Sequence, residues 1–311
     1  MPPHQLVVFA GTAHPSLAAD VAREIGTQLA SCEVERFPDG EVTVRLRESV
    51  RGKEVFIVQP TSPPVNDHLM QLLAFADACR RSAAARITAV VPYFGYARAD
   101  KRSERREPIT ASLVATLMQA AGISHVITVD LHTPQIEGFF AIPVDTLTAV
   151  PTLCGALRGH LPADAVVVSP DAGRVQLATE YGRRLDAPLA VLHKRRESGT
   201  HTEVTRLVGE VEGRACLLVD DMISTGGTLV QSVRALREAG AREFFVSATH
   251  GLFLRGALDR LADAGVREVL VTDTVPPPDE RPPILRVASL APLIAGAVRR
   301  IMVDGSLGDL F

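Results

Sequence analysis

The stretch Leu217–Thr228, with the sequence LLVDDMISTGGT, combines residues that could bind both a sugar and a phosphate group. Three apolar residues, together with the preceding Cys216, predict a buried strand. Two carboxylates follow where that strand would end, and a Ser/Thr/Gly turn precedes a helix-like apolar pattern. The turn therefore lies at a helix N-terminus, where backbone N–H groups and the helix dipole favour an anion. The carboxylates cannot bind phosphate, but they can accept hydrogen bonds from sugar hydroxyls. Together these features predict a cradle for ribose 5-phosphate.

The predicted cradle consists of two acids and five turn residues: Asp220, Asp221, Ser224, Thr225, Gly226, Gly227 and Thr228. The glycines let the backbone approach a ligand closely, and the three hydroxyl side chains add donors. The turn is not a P-loop, because no Lys precedes its final Ser/Thr, and it is not a GxGxxG turn. An ordinary strand–turn–helix connection is the alternative, but it gives paired Asp residues no packing role.

Two cation-rich segments follow predicted strands and could contact phosphates. Arg98–Glu107, RADKRSERRE, carries five cations and three anions, and a solvated charged helix is the alternative. Lys194–Arg196, in the sequence HKRRE, comes before the polar segment Ser198–Thr202, which we expect to be mobile. Arg side chains match phosphate oxygens, and cations on a mobile loop can close over a transferring phosphoryl group. A charged strand exit is the alternative for this second segment.

Acidic residues and a His also follow predicted strands. Asp130 and His132 come directly after one strand and Asp171 after another, so they could bind a divalent cation or hold its waters. Helix capping is the alternative for these residues. The sequence FPDGE at 37–41 predicts a turn between two short alternating strands, and a plain hairpin turn would need no further role.

Strand-length apolar runs alternate with helical patterns along the chain, which predicts parallel sheets covered by helices. The predicted strands are Leu6–Ala10, Val55–Gln59, Ile87–Pro92, Val126–Val129, Val166–Ser169, Leu189–Leu192, Cys216–Val219, Phe244–Ala248 and Val269–Thr272. The predicted helices cover residues 16–30, 66–82, 110–121, 174–185, 227–239, 255–264 and 291–302. In such sheets ligands bind beyond the carboxyl ends of the strands, where the polar segments lie.

The two halves of the chain resemble each other. The sequence AARITAVVPYFG at 84–95 parallels AREFFVSATHG at 241–251, and a second apolar run ending in an acid follows each one. Two copies of one α/β domain explain this repeat, with a boundary near residues 145–150.

Composition excludes several classes of protein. The chain has 311 residues, enough for about two domains, and a net charge of −3 that favours neither nucleic acid nor an anionic membrane. No apolar run is long enough to span a bilayer, and the N-terminus lacks the basic region of a signal peptide. The four scattered cysteines predict buried free thiols in a reducing, cytoplasmic setting.

Seven segments together resemble the ribose-phosphate pyrophosphokinase family over nearly the whole chain. They are FPDGE at 37–41, SVRGKEVFIVQPTSPPVNDHLM at 49–70, PYFGYARADKRSERREPITA at 92–111, DLHTPQIEGFF at 130–140, VVVSPDAG at 166–173, HKRRE at 193–197 and LLVDDMISTGGT at 217–228. The resemblance implies an α/β fold of two tandem phosphoribosyltransferase-type domains, 1–147 and 148–311, with mostly parallel sheets flanked by helices. The last helix is expected to pack back on the first domain. It also implies a homo-oligomer, a hexamer or a smaller assembly with shared sites.

The same resemblance implies an enzyme of nucleotide biosynthesis that transfers the diphosphoryl group of ATP to ribose 5-phosphate with Mg²⁺. It implies these roles: Lys194 and Arg196 catalytic, with Arg196 also binding ribose 5-phosphate; Asp39, Gly40, Glu41, Arg98 and Ala99 binding ATP; His132 and Asp171 binding metal. Asp130, by its position after a strand, is a further candidate metal ligand. The cradle at 220–228 holds ribose 5-phosphate. In such oligomers the FPDGE segment reaches the site of a neighbouring subunit.

The chain departs from the usual family pattern at Ser224, commonly acidic, at Ala99, commonly Gln, and at His193, commonly Asp. Two other functions use the same residues in part. A phosphoribosyltransferase that consumes phosphoribosyl pyrophosphate (PRPP) would need only the cradle, and a regulatory paralogue would bind active subunits without catalysis.

Overall fold

A computed structural model describes residues 5–198, 201–308 and 310, and the side chains of 194–205 lie outside this description. The chain forms two compact units. Unit 1 contains Met1–Thr148, Thr274–Pro276 and Ser289–Phe311, and unit 2 contains Ala149–Asp273 and Pro277–Ala288. Unit 1 is therefore discontinuous in the sequence.

Strands and helices alternate along most of the described chain. The strands are β1 (Leu6–Ala10), β2 (Cys32–Arg36), β3 (Val42–Leu46), β4 (Glu54–Val58), β5 (Arg86–Val91), β6 (His125–Val129), β7 (Val144–Leu147), β8 (Val166–Ser169), β9 (Leu189–Ser198), β10 (His201–Val208), β11 (Ala215–Ile223), β12 (Glu243–Gly251), β13 (Val266–Thr272) and β14 (Leu285–Ala288). The helices are α1 (Pro15–Ile25), α2 (Val65–Arg81), α3 (Thr110–Ala121), α4 (Val150–Leu157), α5 (Val175–Leu185), α6 (Gly227–Glu238), α7 (Ala257–Asp263) and α8 (Ala291–Ile301).

Unit 1 contains a parallel sheet in the order β1-β4-β5-β6-β7 and a separate antiparallel hairpin, β2–β3. Every residue of β4 and β6 is buried, as expected for strands covered on both faces. Phe9, Ile57 and Ala89 face a core that includes Phe75 of α2 and Met118 of α3. Helix α8 packs against α1, although more than 260 residues separate them in the sequence.

Unit 2 contains a seven-stranded sheet in the order β10-β9-β8-β11-β12-β13-β14, in which only β10 runs antiparallel to its neighbour. Val168, Leu218 and Val246 from the sheet pack in one core with Val233 of α6 and Leu261 of α7. Helix α5 packs against β8, β9 and β11.

The two sheets share one topology. The order β8-β11-β12-β13-β14 in unit 2 repeats the order β1-β4-β5-β6-β7 in unit 1, and each unit inserts a hairpin after its first strand and helix. The paired segments at 84–95 and 241–251 form β5 and β12, which occupy equivalent positions. The predicted repeat is therefore confirmed by strand order, and the predicted α/β fold class is confirmed.

Most predicted elements agree with the structure to within three residues, but three have different bounds and four further elements were not predicted. Helix α1 ends at Ile25, not near residue 30, because Gly26 adopts a left-handed φ of 87° that closes the helix. Strands β9 and β11 extend well beyond their apolar runs. Helix α4 and the strands β7, β10 and β14 were not among the predicted elements. The short, proline-bearing α4 and four-residue β7 and β14 give too little periodic pattern to detect.

The cysteines are free, as predicted, but their burial is uneven. Cys79, Cys154 and Cys216 are buried, whereas Cys32 is half-buried at the start of β2. The prediction that all four are buried is therefore wrong for Cys32, because the hairpin that carries it lies outside the parallel sheet.

No helix in the described residues has the length and apolar character needed to cross a membrane.

Candidate active site

The paired acids of the cradle lie inside β11, not after its end as predicted. Strand β12 pairs with β11 as far as Ile223, whereas β8 pairs with it only up to Leu218. The strand therefore continues past its neighbour β8 and carries Asp220 and Asp221 beyond the end of that neighbour. The sequence-based boundary was too early because charged side chains interrupt the apolar run while backbone pairing to β12 continues.

Arg174 joins the two acids. Its Nε donates to Oδ1 of Asp220 at 3.0 Å, and its Nη2 lies 2.9 Å from Oδ1 of Asp221. The arginine side chain is only 19% exposed, and those of the acids are 15% and 8% exposed. The backbone N–H of Asp221 also donates to Oδ1 of Asp220 at 2.9 Å. One guanidinium and two carboxyl groups thus form one compact, largely buried cluster.

Burial raises the pKa of Asp220 from 3.8 to about 8, and the hydrogen bond and charge of Asp221 act in the same direction. The Arg174 guanidinium and the backbone N–H of Asp221 oppose this rise in the pKa. Charge balance in the cluster therefore depends on Arg174. Perturbed carboxylates in such a position are typical of functional sites.

The turn after β11 leads directly into α6, as predicted. Gly226 is buried with a φ of 74°, and α6 begins at Gly227. A Cβ at Gly226 would lie 3.5 Å from Cβ of Ala257, so this glycine packs closely on α7. Thr225, Gly227 and Thr228 are exposed and Ser224 is half-buried. An exposed turn with hydroxyls at the start of a 12-residue helix suits an anionic ligand.

Leu254 and Arg260 hold this turn through hydrogen bonds to its backbone carbonyls. The backbone N–H of Leu254 donates to the carbonyl of Ser224 at 2.9 Å. Arg260 of α7 donates from Nη2 to the carbonyl of Thr225 and from Nη1 to the carbonyl of Arg255 at 2.5 Å. The carbonyl oxygens of Ser224 and Thr225, both in the turn, thus have hydrogen-bond partners. The sequence pattern indicates neither residue, because Leu254 lies on the connection after β12 and Arg260 lies on α7.

Asp171 follows β8 and makes the capping contact that was its alternative role. Its Oδ1 accepts from the backbone N–H of Gly173 at 2.8 Å, and its carbonyl accepts from the hydroxyl of Ser169 at 2.7 Å. The segment that it caps ends at Arg174, which reaches the acid pair. The loop after β8 therefore carries both a predicted metal ligand and an unpredicted cation.

In unit 1, a hydrogen bond joins two of the predicted segments. Thr133 donates from its hydroxyl to Oδ2 of Asp100 at 2.8 Å, which ties the loop carrying Arg98 and Ala99 to the loop carrying Asp130 and His132. Arg98 is exposed and the other three predicted site residues are half-buried. Residues 98–107 form an irregular loop, so their alternative interpretation as a charged helix is wrong.

The FPDGE segment forms the turn of the β2–β3 hairpin, as predicted. Asp39 accepts from the backbone N–H of Glu41 at 3.0 Å, and the backbone N–H of Gly40 donates to the carbonyl of Phe37 at 2.9 Å. All five residues of the turn are exposed. Their role in ATP binding stays a prediction.

Lys194 and Arg196 lie within β9, opposite Val204 and Thr202 of β10. The predicted strand exit at this point is therefore wrong, because β10 supplies a backbone partner that continues the strand through Ser198. Within the predicted mobile segment Ser198–Thr202, residues 199–200 lie outside the described residues, as do the side chains of Lys194 and Arg196.

The protein donors fit a magnesium ion only if waters or substrate phosphates supply the rest of its ligands. Within the described part of the chain, no three His, Cys, Asp or Glu side chains lie close enough together to hold a metal alone. Mg²⁺ usually takes one or two carboxylates, waters and substrate phosphates. Asp130 in unit 1 and Asp171 in unit 2 each offer a carboxylate of this kind, whereas the imidazole of His132 in unit 1 suits a contact through water better.

Two α/β units of one topology, with an acid pair next to a phosphate-type helix N-terminus, define an enzyme built from phosphoribosyltransferase-type domains. Ribose-phosphate pyrophosphokinases from Caldanaerobacter subterraneus subsp. tengcongensis and Mycobacterium leprae are each 47% identical to the chain. The first match covers 99% of this chain and 98% of its relative, and the second covers 98% and 95%. The chain belongs to the ribose-phosphate pyrophosphokinase family, which confirms the resemblance seen in the sequence.

Family models and a solved structure agree with this assignment. Residues 6–122 match the N-terminal domain of ribose phosphate pyrophosphokinase, and residues 200–311 match the phosphoribosyl synthetase-associated domain. The crystal structure of phosphoribosylpyrophosphate synthetase from Mycobacterium smegmatis is 45% identical, with a TM-score of 0.91. That similarity covers 97% of this chain and all of the other. The similarity therefore spans both units rather than the cradle alone.

Proposed function

We propose that the protein transfers the diphosphoryl group of ATP to the anomeric hydroxyl of ribose 5-phosphate, giving PRPP and AMP. The anomeric oxygen attacks the β-phosphorus of ATP, the bond between that phosphorus and the α–β bridging oxygen breaks, and AMP leaves. The hydroxyl proton passes to solvent or to a phosphate oxygen. The observation that carries this proposal is the acid pair of β11 placed directly before the exposed helix N-terminus of α6.

In this cradle the 5-phosphate lies on the turn from Ser224 to Thr228, and the ribose diol faces Asp220 and Asp221. The helix N-terminus supplies backbone donors and a favourable dipole for the phosphate. The carboxylates accept hydrogen bonds from the diol, which orients the anomeric hydroxyl. Tight positioning of this kind is the main source of rate acceleration in phosphoryl transfer, together with electrostatic stabilisation.

ATP is assigned to the predicted segments of unit 1. Arg98 is an exposed cation on the loop after β5, tied by Asp100 to the loop of Asp130 and His132. Mg²⁺, when bound, neutralises charge on the transferring and leaving oxygens. Lys194, Arg196 and Arg98 add positive charge for the same developing negative charge. Both magnesium and ATP binding follow here from family membership and donor chemistry.

The test is release of AMP by the purified protein supplied with ATP, ribose 5-phosphate and Mg²⁺ only. A PRPP-consuming phosphoribosyltransferase would release no AMP under these conditions, and a regulatory paralogue would be inactive alone.

We expect Lys194→Ala to lower turnover by about 100- to 1000-fold, the usual loss for one such electrostatic contact, while ribose 5-phosphate binding persists. Near-normal turnover in that variant contradicts the role of Lys194.

We also propose a cytoplasmic homo-oligomer in which the exposed FPDGE hairpin completes the ATP site of a neighbouring subunit. Mixing two inactive variants tests this arrangement. Subunits with Lys194→Ala keep an intact hairpin, and subunits with Asp39→Ala and Glu41→Ala keep an intact lysine. If sites are shared between two subunits, random mixing restores about a quarter of the sites. Mixtures that stay inactive after subunit exchange contradict a shared site.

A further inference from the structure

Arg174 is a charged residue of the cradle that no sequence motif identifies. It lies at the end of the loop after β8, in unit 2, and its guanidinium bridges the two acids of β11. We propose that Arg174 is a positioning residue for ribose 5-phosphate, which fixes Asp220 and Asp221 as a pair of hydrogen-bond acceptors for the ribose diol. This inference rests on the ribose 5-phosphate site proposed above.

The geometry supports positioning because one guanidinium reaches two carboxylates. Nε and Nη2 belong to one rigid plane, so contacts of 3.0 Å and 2.9 Å fix the two Oδ1 atoms relative to each other. A lysine is a point charge on a flexible stem and cannot impose this relation. A carboxylate can accept about four hydrogen bonds, so the arginine contact leaves capacity for a diol.

The loop that carries Arg174 is itself fixed. Asp171 accepts from the backbone N–H of Gly173 at 2.8 Å, and Ser169, which is fully buried, donates to the carbonyl of Asp171 at 2.7 Å. The arginine therefore projects from a closed turn rather than from a free loop. A side chain held at its base and at its tip is pre-organised, which lowers the entropic cost of ligand binding.

The charges around the acid pair explain why Asp220 needs Arg174 in order to accept a hydrogen bond. Asp220 faces Asp221 on its own strand and Arg174 from the β8–α5 loop, and its partner on β12 is the uncharged Ala248. Burial and Asp221 both favour a protonated Asp220, and Arg174 opposes them. A protonated carboxyl loses acceptor capacity. Without Arg174, Asp220 should hold its proton to higher pH, so the loss of sugar binding should be largest above about pH 8, where the wild-type carboxyl is ionised.

The test compares Arg174→Gln and Arg174→Lys with the wild-type enzyme. We expect KM for ribose 5-phosphate to rise about 10- to 100-fold in Arg174→Gln and less in Arg174→Lys, as for loss of a hydrogen-bonded charge pair. KM for ATP should stay within about threefold. The acid limb of kcat/KM for ribose 5-phosphate should move to higher pH. Arg183→Gln is the matched control, because Arg183 also pairs with an acid but is 66% exposed on α5.

Two results would overturn the inference. One is an unchanged KM for ribose 5-phosphate with an unmoved acid limb in folded Arg174→Gln. The other is an equal loss for both substrates, which indicates a merely structural role. If Arg174→Gln does not fold, calorimetric binding of ribose 5-phosphate to Arg174→Lys decides between these outcomes. If the wild type releases no AMP, the proposed function fails, and the same calorimetry on wild type and variants still tests Arg174.

Discussion

At the residue scale, the acid pair of β11 carries an energetic cost as well as a function. Two adjacent carboxyl groups are held with Arg174 in a largely buried cluster. Folding alone would gain from replacing them, because an incompletely balanced buried charge is destabilising. The proposed ribose ligand would account for their presence.

The first prediction at this scale concerns Asp220→Asn in the unligated protein. Burial, followed by the hydrogen bond and charge of Asp221, raises the pKa of Asp220 to about 8, so the folded protein holds this proton more tightly than the unfolded chain. The resulting stability is fully present below the unfolded pKa and is lost as pH rises through about 8. The wild type should lose up to about 1.4 kcal/mol per pH unit from this group, and the variant should not.

Urea unfolding at pH 6 and pH 9 measures the difference. Asp279→Asn, at an exposed position, is the control and should follow the wild type. Equal losses of stability in the wild type and Asp220→Asn would show that Asp220 does not hold its proton in the folded state.

A second prediction concerns thiol reactivity. Burial raises the pKa of Cys79, Cys154 and Cys216 to about 12, so almost no thiolate forms at neutral pH. Cys32 is half-buried, and burial raises its pKa as well. We expect Ellman's reagent to modify Cys32 first and the other three only on unfolding. Cys32→Ser should remove the fast phase, and a fast phase that survives this substitution would be incompatible with the burial pattern.

Residue identity in the site follows from the sequence only where the residues are adjacent. The acids and the hydroxyl turn lie within nine positions of one another, so their spacing predicts a cradle. Arg174 lies 46 residues before Asp220, and no local pattern links them. Its contact exists because β8 and β11 are neighbours in the sheet, which is information about topology rather than spacing.

At the element scale, strand ends decide where the chemistry lies. The sequence predicts β9 and β11 as short, because Lys194–Arg196 and the Asp pair break the apolar pattern. The structure continues both strands through these charges, because backbone pairing to β10 and β12 does not depend on side-chain polarity. Apolar patterning therefore finds where a strand is buried but not where it stops.

Gly226→Ala tests the turn at the start of α6. The φ of 74° disfavours any residue with a Cβ by about 1–2 kcal/mol, although the nearest atoms at 3.5 Å leave room for a methyl group. We expect the turn to shift and KM for ribose 5-phosphate to rise, with little change in KM for ATP. Steady-state kinetics with each substrate varied measures both.

Gly155→Ala is the control for that substitution. Gly155 lies within α4, its φ is ordinary, and a Cβ there would meet nothing within 4 Å. Alanine should stabilise this helix by about 0.5–1 kcal/mol without altering either KM. Unchanged sugar kinetics in Gly226→Ala would mean that the turn does not hold the 5-phosphate.

At the scale of the whole molecule, one domain plan occurs twice. The equivalence of the β2–β3 and β9–β10 hairpins places the FPDGE turn and the Lys194–Arg196 segment on corresponding insertions of the two units. The repeat was predictable from the sequence, because buried parallel strands retain recognisable apolar runs. The β9–β10 hairpin was less predictable, because the charged residues Lys194–Arg196 interrupt the apolar run of β9.

The discontinuous unit 1 gives a prediction at this scale. Ile294 of α8 is fully buried, so Ile294→Ala should cost about 2–4 kcal/mol. Hydrogen exchange should show the loss of protection in β1 and α1, far away in sequence, rather than in the neighbouring β13 and β14. Leu285→Ala in β14, which is buried in unit 2, should show the reverse pattern. Loss of protection confined to residues next to each substitution would contradict this division of the chain.

The packing of α8 on α1 also matters for synthesis on the ribosome. Translation adds about 5–20 residues per second, so α1 waits roughly 15–50 s before its helical partner has been made. During that interval unit 2 can finish its own core, whereas unit 1 still presents the buried residues Leu17 and Val21 to chaperones. The half of the molecule translated first is therefore the half that completes its folding last.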